Sequence, residues 1–368
     1  MTDPRPIPLP RETSRLLGHD AGEQTLLAAY RSARLHHGWL ISGPRGVGKA
    51  TLAYRFARYL LSEEASGGPE AGDLFGGTAP EPDRTLAISP DSPVFAQVAA
   101  LSHPDLVAME RTVDEKTGRL RNEIVVADVR RAEAFLRRTS SAGGWRVLII
   151  DSVDEMNRHA ANGILKILEE PPEKTVILLV CHSPGAILPT IRSRCRNLKL
   201  ERLPEPVIET LIGDVRPELA VEDLRVLARL ADGSVGRGLE MAAQDGGSIY
   251  TELAALLAQL PRPDGESLYV FSDGLNRAGR EGAYRAAIDL LDWWIARAVS
   301  SVARGLGPPA PVAGEPVPDP GIFAGSRLTR WIEVREAIRQ MFRRAGQVNL
   351  DRSQVMMDAF LAMSRAAR

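Results

Sequence analysis

The segment Gly43-Pro44-Arg45-Gly46-Val47-Gly48-Lys49-Ala50 follows the short apolar run His37-Gly38-Trp39-Leu40-Ile41-Ser42 and precedes a helical pattern over residues 50–61. Strand, glycine loop and helix in that order constrain the fold strongly, because the loop can curl around an anion only when a helix N-terminus points at it. Gly43, Gly46 and Gly48 supply the turn, Lys49 stands where a lysine would reach terminal phosphates, and the next position normally carries a Ser or Thr that holds Mg²⁺. Here that position is Ala50, which has no hydroxyl. Either Thr51 compensates, or the chain keeps a nucleotide fold without its own hydrolysis.

The 368 residues suffice for two or three domains, each with a core. Lys and Arg number 46 against 47 Asp and Glu, so no overall basic field marks a nucleic-acid binder, although a local patch could. Met1 to Pro10 is proline-rich and lacks the apolar stretch of a signal peptide, and no apolar run approaches the roughly 18 to 20 residues that span a bilayer. We expect a cytoplasmic protein with no membrane partner. The two cysteines, Cys181 and Cys195, make no C-x-x-C pair and no disulfide framework.

A helical pattern covers residues 24–34. Residues 62–104 turn rich in Gly, Pro, Ala and Ser and read as a surface insertion (63–104) with no assigned structure. Order resumes at 106–109 and 124–126. The helix expected from Asp128 to about Arg138 carries Arg130, Arg131, Arg137 and Arg138, a pattern that fits a solvated charged face better than a nucleic-acid contact. Val147 to Asp151 is an apolar strand ending in a carboxylate, the arrangement in which P-loop ATPases present the Asp that organises Mg²⁺. Ser152 follows, where an active ATPase commonly has Glu, and a hydroxyl is a poor base near neutral pH. Residues 157–170 have helical periodicity stopped by Pro171-Pro172, and 176–181 is a β-branched apolar strand. Alternating strands and helices predict a parallel α/β sheet.

Asp151-Ser152-Val153-Asp154, the run from Asn162 to Pro172 ending Leu-Glu-Glu-Pro-Pro, and Ser193-Arg194-Cys195 together resemble the bacterial clamp-loader branch of the AAA+ family over about Leu17 to Leu203. The resemblance implies a P-loop AAA+ domain (1–203), a small helical lid (204–247) entered through Pro204-Glu205-Pro206, and an all-α collar domain (248–368) that joins subunits in a ring. It implies motor ATPase and clamp-opening subunits as partners, with the sliding clamp and primer-template DNA met through the complex. Arg194 matches the arginine that reaches in trans to a neighbour's ATP; Ser193 and Cys195 are its motif neighbours, with Cys195 expected to pack as a small hydrophobe.

The same resemblance exposes four departures. The Mg²⁺-binding Ser/Thr falls on Ala50, the catalytic Glu on Ser152, the polar sensor on His182, and the lid arginine on Gly236, with Arg237 displaced by one. They imply a non-hydrolysing subunit that lends Arg194 to its neighbour. Gly43, Gly46, Gly48, Lys49, Thr51 and Asp151 then either hold ATP or ADP without turnover or form a packing turn. An active motor ATPase, with Thr51 on the metal and Asp154 or Glu155 as base, is the alternative, and a passive scaffold is a third. Family members often carry four zinc-binding cysteines before the second strand; residues 62–103 contain none, so no zinc is expected. In the collar, Tyr284, Ile288, Leu291, Ile295, Val299 and Val302, and later Val355, Ala359 and Met363, form apolar stripes. Trp293 and Trp294 point to different sides of one helix, so one is available to face a partner. Residues 307–321, with six prolines, read as a loop.

Overall fold

The computed structural model describes residues 7–65, 85–113, 121–138, 140, 143–307, 309, 311–312, 317–325, 327–348 and 350–368. They fall into two compact units, Pro6–Val207 with Gly233–Gly236, and Ile208–Asp232 with Arg237–Arg368.

In the first unit the chain runs α1 (Asp20–Arg31), β1 (Gly38–Ser42), α2 (Lys49–Ala65), α3 (Pro93–Ala99), β2 (Leu106–Glu110), α4 (Val126–Leu136), β3 (Arg146–Asp151), a single helical turn Val153–Glu155, α5 (Arg158–Glu169), β4 (Thr175–Cys181), α6 (Pro189–Ser193) and β5 (Arg196–Lys199). All five strands are parallel, in the order β2-β3-β4-β1-β5. β1 and β4 lie inside the sheet and are buried along their whole length, which is why they read as unbroken apolar runs. Alternate residues serve opposite faces. Trp39, Ile41, Val147, Ile149, Leu178 and Val180 join Leu26, Leu27, Leu52, Phe56 and Leu60 of α1 and α2. Leu40, Leu148, Ile150, Ile177 and Leu179 join Val129, Ala132, Ile164 and Leu168 of α4 and α5. The predicted parallel α/β sheet is therefore present, with one strand that the sequence reading missed. β5 reads Arg-Asn-Leu-Lys, and only Leu198 is buried.

The segment 63–104 is more ordered than its composition suggested. α2 runs on to Ala65, and α3 buries Phe95 and Val98; residues 66–84 lie outside the described residues. α3 seats a buried cation. Arg58, 1% exposed, donates from Nη1 to Arg11 O (3.0 Å) and from Nη2 to Thr13 O (2.8 Å), with its guanidinium 4.4 Å from the Phe95 ring centre. One turn earlier, Arg55 pairs with Glu23 and donates to Ser14 O. Two arginines of α2 thus hold the segment around residues 11–14 by its carbonyls.

The remaining chain is helical: α7 (Glu205–Val215), α8 (Val221–Leu230), α9 (Val235–Ala243), α10 (Gly246–Ala258), α11 (Gly265–Asn276), α12 (Glu281–Ala303), a short turn Pro320–Phe323, α13 (Arg327–Val348) and α14 (Arg352–Ala366). α12 packs on α10 and α13, and α14 on α11 and α13. Leu291, Ile295, Val355, Ala359 and Met363 are core, whereas Ile288, Val299 and Val302 are only partly buried. Neither consecutive tryptophan faces outward. Trp293 meets Tyr250 edge-on, and Trp294 packs on Phe323 and on Trp331, whose Nε1 donates to Ile322 O at 2.9 Å. The reason is that two helical neighbours are only about 100° apart, so both fit within one wide buried face. Among the described residues no helix is long and apolar enough to cross a membrane.

Candidate functional site

The register fixes what meets the glycine loop. Ser42, the last residue of β1, is paired with Cys181 at the end of β4, and Asp151 at the end of β3 with Val180. The loop, Asp151 and His182 therefore share the C-terminal edge of the sheet, where open α/β sheets bind ligands. Gly43 adopts φ 148°, and a Cβ there would lie 2.4 Å from Leu200 O, so only glycine fits. Gly46 and Gly48 also have positive φ, 74° and 108°. α2 starts at Lys49, so its first-turn N–H groups, which helix geometry leaves without intrahelical partners, lie on the loop.

The loop is closed on its own groups. Lys49, 3% exposed, donates from Nζ to Gly43 O (2.8 Å) and Pro44 O (2.5 Å), and burial lowers its pKa to about 8 against the pull of Asp151 and Asp154. His19 Nε2 lies 2.7 Å from Val47 O, and Gly236 N donates to Gly46 O at 2.9 Å. Position 236 approaches so closely that a Cβ would sit 2.9 Å from the Gly46 Cα. An arginine at this position would collide with the loop. Arg237 instead donates to Asp289 O (3.3 Å) and lies over the Trp293 ring.

Three departures inferred from sequence thus meet at one place. The fourth, Ser152, joins them through a hydrogen bond between its Oγ and His182 Nε2 at 3.0 Å. Burial, with Lys49 nearby, drops the His182 pKa to about 4, so the ring is neutral at physiological pH. Asp154 accepts from the backbone N–H groups of both His182 (3.0 Å) and Ser183 (3.1 Å), while Glu155 pairs with Arg111 at 2.8 Å. Burial and the nearby Glu110 raise Asp151 to about 6. Ala50 packs on the core beside the loop, and Thr51 lies about 100° further round α2. The set fits a phosphate, through glycines, helix amides and Lys49, but offers a divalent cation no hydroxyl at position 50. Among the described residues no cluster of three or more His, Cys, Asp or Glu could hold a metal ion.

Ser193, Arg194 and Cys195 lie at the opposite edge of the sheet. Ser193 ends α6, and Arg194-Cys195 lead into β5, whose Arg196 pairs with Trp39 near the start of β1. At about 3.3 Å per residue, Gly38 to Gly43 spans roughly 16 Å of strand, beyond the reach of an arginine side chain. Arg194 Nη2 meets Glu169 Oε1 at 2.7 Å and Nη1 donates to Thr190 O at 3.1 Å. Ser193 Oγ donates to the same carbonyl at 3.1 Å. Cys195 packs against the α4/α5 core, and burial pushes its thiol up to about 12. On α4, Arg131 pairs with Asp128 and Arg137 with Glu133, as a solvated face would.

The family model described as DNA polymerase III, delta subunit, matches residues 82–204, the stretch that contains Asp151, the Leu-Glu-Glu-Pro-Pro helix and Arg194. Over this third of its length the chain resembles that family. It is similar to DNA polymerase III subunit delta' of Pseudomonas aeruginosa, 34% identical over 43% of this chain and 41% of that one. It is 29% identical to the delta' subunit of Escherichia coli over 67% of this chain and 66% of that one. Subunit gamma of Buchnera aphidicola is 27% identical over 63% and 58%. The chain thus spans about two fifths to two thirds of the length of these relatives.

Proposed function

We propose that the chain is a non-hydrolysing, delta'-type subunit of a cytoplasmic sliding-clamp loader for a replicative DNA polymerase. In this reading it assembles with motor ATPase and clamp-opening subunits, meets the clamp and primer-template DNA through that complex, and lends Arg194 to a neighbour's ATP. The division into AAA+ domain, lid and collar belongs to the same proposal. One observation carries it: the chain's own glycine loop is closed by Lys49, His19 and Gly236, while Arg194 stands half-exposed at the other edge of the sheet. An arginine so placed cannot serve the loop of its own chain. Its planar guanidinium suits charge developing on a transferred phosphoryl group, an effect of about 10³ to 10⁵ in rate for arginine fingers generally. ATP or ADP bound in this chain would be held by the first-turn amides of α2 and by Lys49 once its ammonium exchanges loop carbonyls for phosphate oxygens.

A second reading, an active motor ATPase, is favoured by the gamma relative and by the retained Lys49 and Asp151. Against it, Asp154 is engaged by two backbone amides and Glu155 by Arg111, which leaves neither free as the base. ATP turnover by the purified chain, abolished by Lys49→Ala, would establish that second reading. In the reconstituted complex, Arg194→Ala should lower DNA-stimulated ATPase while assembly persists. Unchanged turnover would leave a passive scaffold.

A further inference from the structure

The assignment of Arg194 as a trans-acting finger leaves open how a long side chain at the surface keeps one direction. Its main chain rests on a tight platform. A Cβ on Gly38 would lie 3.3 Å from Arg194 O and 3.3 Å from Cys195 Sγ, so the absence of that carbon lets the Arg194-Cys195 backbone press on β1. Cys195 points into the core, and the Arg196 guanidinium stacks 5.0 Å from the Trp39 ring centre. Between two anchored neighbours, only the Arg194 side chain is free to choose a direction.

Two acceptors choose it, Glu169 Oε1 on α5 and Thr190 O on α6. The carboxylate is itself well placed. α5 is capped at its start by Asn157, which accepts from Ala160 N at 2.9 Å, and ends before Pro171-Pro172. Its last turn is tied to the residue that leads into β1, with His37 Nε2 3.0 Å from Leu168 O. A carboxylate at a helix C-terminus is electrostatically misplaced, since that end favours cations, so Glu169 adds little to α5 itself. An ion pair whose side chains are 36% and 50% exposed also adds little to folding. What it does fix is the direction of the guanidinium, whose remaining N–H groups stay available.

We propose that Glu169 is a positioning residue for Arg194: it holds the guanidinium in the direction from which it meets the neighbour's nucleotide, so that less side-chain freedom is lost when the finger engages. This rests on the trans-finger reading above. The experiment is DNA-stimulated ATP turnover of the reconstituted complex with Glu169→Ala and Glu169→Gln, each combined with native Arg194 and with Arg194→Ala. Glu169→Ala should lower kcat about tenfold with KM for ATP changed less than about twofold. Glu169→Gln, whose amide oxygen still accepts a hydrogen bond, should recover most of the rate. In the Arg194→Ala background neither substitution should have a further effect. A native kcat for Glu169→Ala, or an equal loss with Arg194 already removed, overturns the positioning role while leaving the finger in place. If Arg194→Ala alone changes nothing, the finger reading falls and the positioning role with it.

Discussion

Asp151 closes β3 beside the glycine loop, and its environment favours the protonated form. Burial and the Glu110 carboxylate raise its pKa from 3.8 to about 6, and the opposing pull of Lys49 does not offset them. At about 1.4 kcal/mol for each tenfold change in proton affinity, keeping this group ionised costs the folded state about 3 kcal/mol at pH 7. An acid whose folded pKa is raised makes the folded chain bind the extra proton between the two values, so stability grows as the pH falls from about 6 toward 3.8. At pH 5 the cost is roughly half of that at pH 7. Asp151→Asn removes the charge and keeps the shape. We therefore expect the variant to be more stable than the native chain by up to about 3 kcal/mol at pH 7, with the gap narrowing by roughly 1 kcal/mol at pH 5. Urea titrations read by pulsed hydrogen exchange on the β1 and β3 peptides measure the α/β unit alone, and taking the difference between chains cancels other titrating groups. A variant less stable than native at pH 7, or a gap independent of pH, would refute the claim that burial rather than pairing governs this carboxylate.

Arg58→Lys should lower the stability of the α/β unit by about 2 to 4 kcal/mol in urea unfolding, because one ammonium cannot span two carbonyls and a ring face; native stability would disprove the forked hold. Gly236→Ala should force its Cβ against Gly46 and break the Gly236-Gly46 hydrogen bond, costing about 1 to 3 kcal/mol locally. Faster hydrogen exchange over residues 43–50 is the readout, and unchanged protection would contradict the contact. Burial pushes the thiols of Cys181 and Cys195 up to about 11 and about 12. Iodoacetamide at pH 8 should therefore leave both unlabelled in the folded chain and modify both in urea; rapid labelling of native Cys195 would show that it is not packed as described.

Much of the sheet was legible because β1, β3 and β4 lie inside it and each carries an unbroken apolar run, Val147 to Ile150 in β3, and because Pro171-Pro172 marks where α5 must stop. β5 escaped because a strand at the edge needs only one buried residue, Leu198. α3 escaped because its two buried residues, Phe95 and Val98, sit in a stretch whose Gly and Pro content dominates any window. Within the site, the identities at positions 50, 152, 182 and 236 were readable one by one. Their meeting was not, since the Ser152-His182 bond joins residues 30 apart and the Gly236-Gly46 contact joins residues 190 apart. Asp154 looked like a spare base from sequence; only the turn after β4 reveals that two amides occupy it. The Glu169-Arg194 pair likewise links two motifs that the sequence presents as separate signals.

The arginines of α2 have a further consequence, for how the chain can be shortened. The segment around residues 11–14 lies outside the sheet and contributes no strand, so a domain cut to start at α1 would appear harmless. Yet its carbonyls are the acceptors that Arg58 and Arg55 use inside the core. Removing it would strand a cation within the helix that follows the glycine loop, with the Phe95 ring left beside it. The leading segment thus works as a counter-electrode to α2, and the minimal folding unit begins well before the first helix.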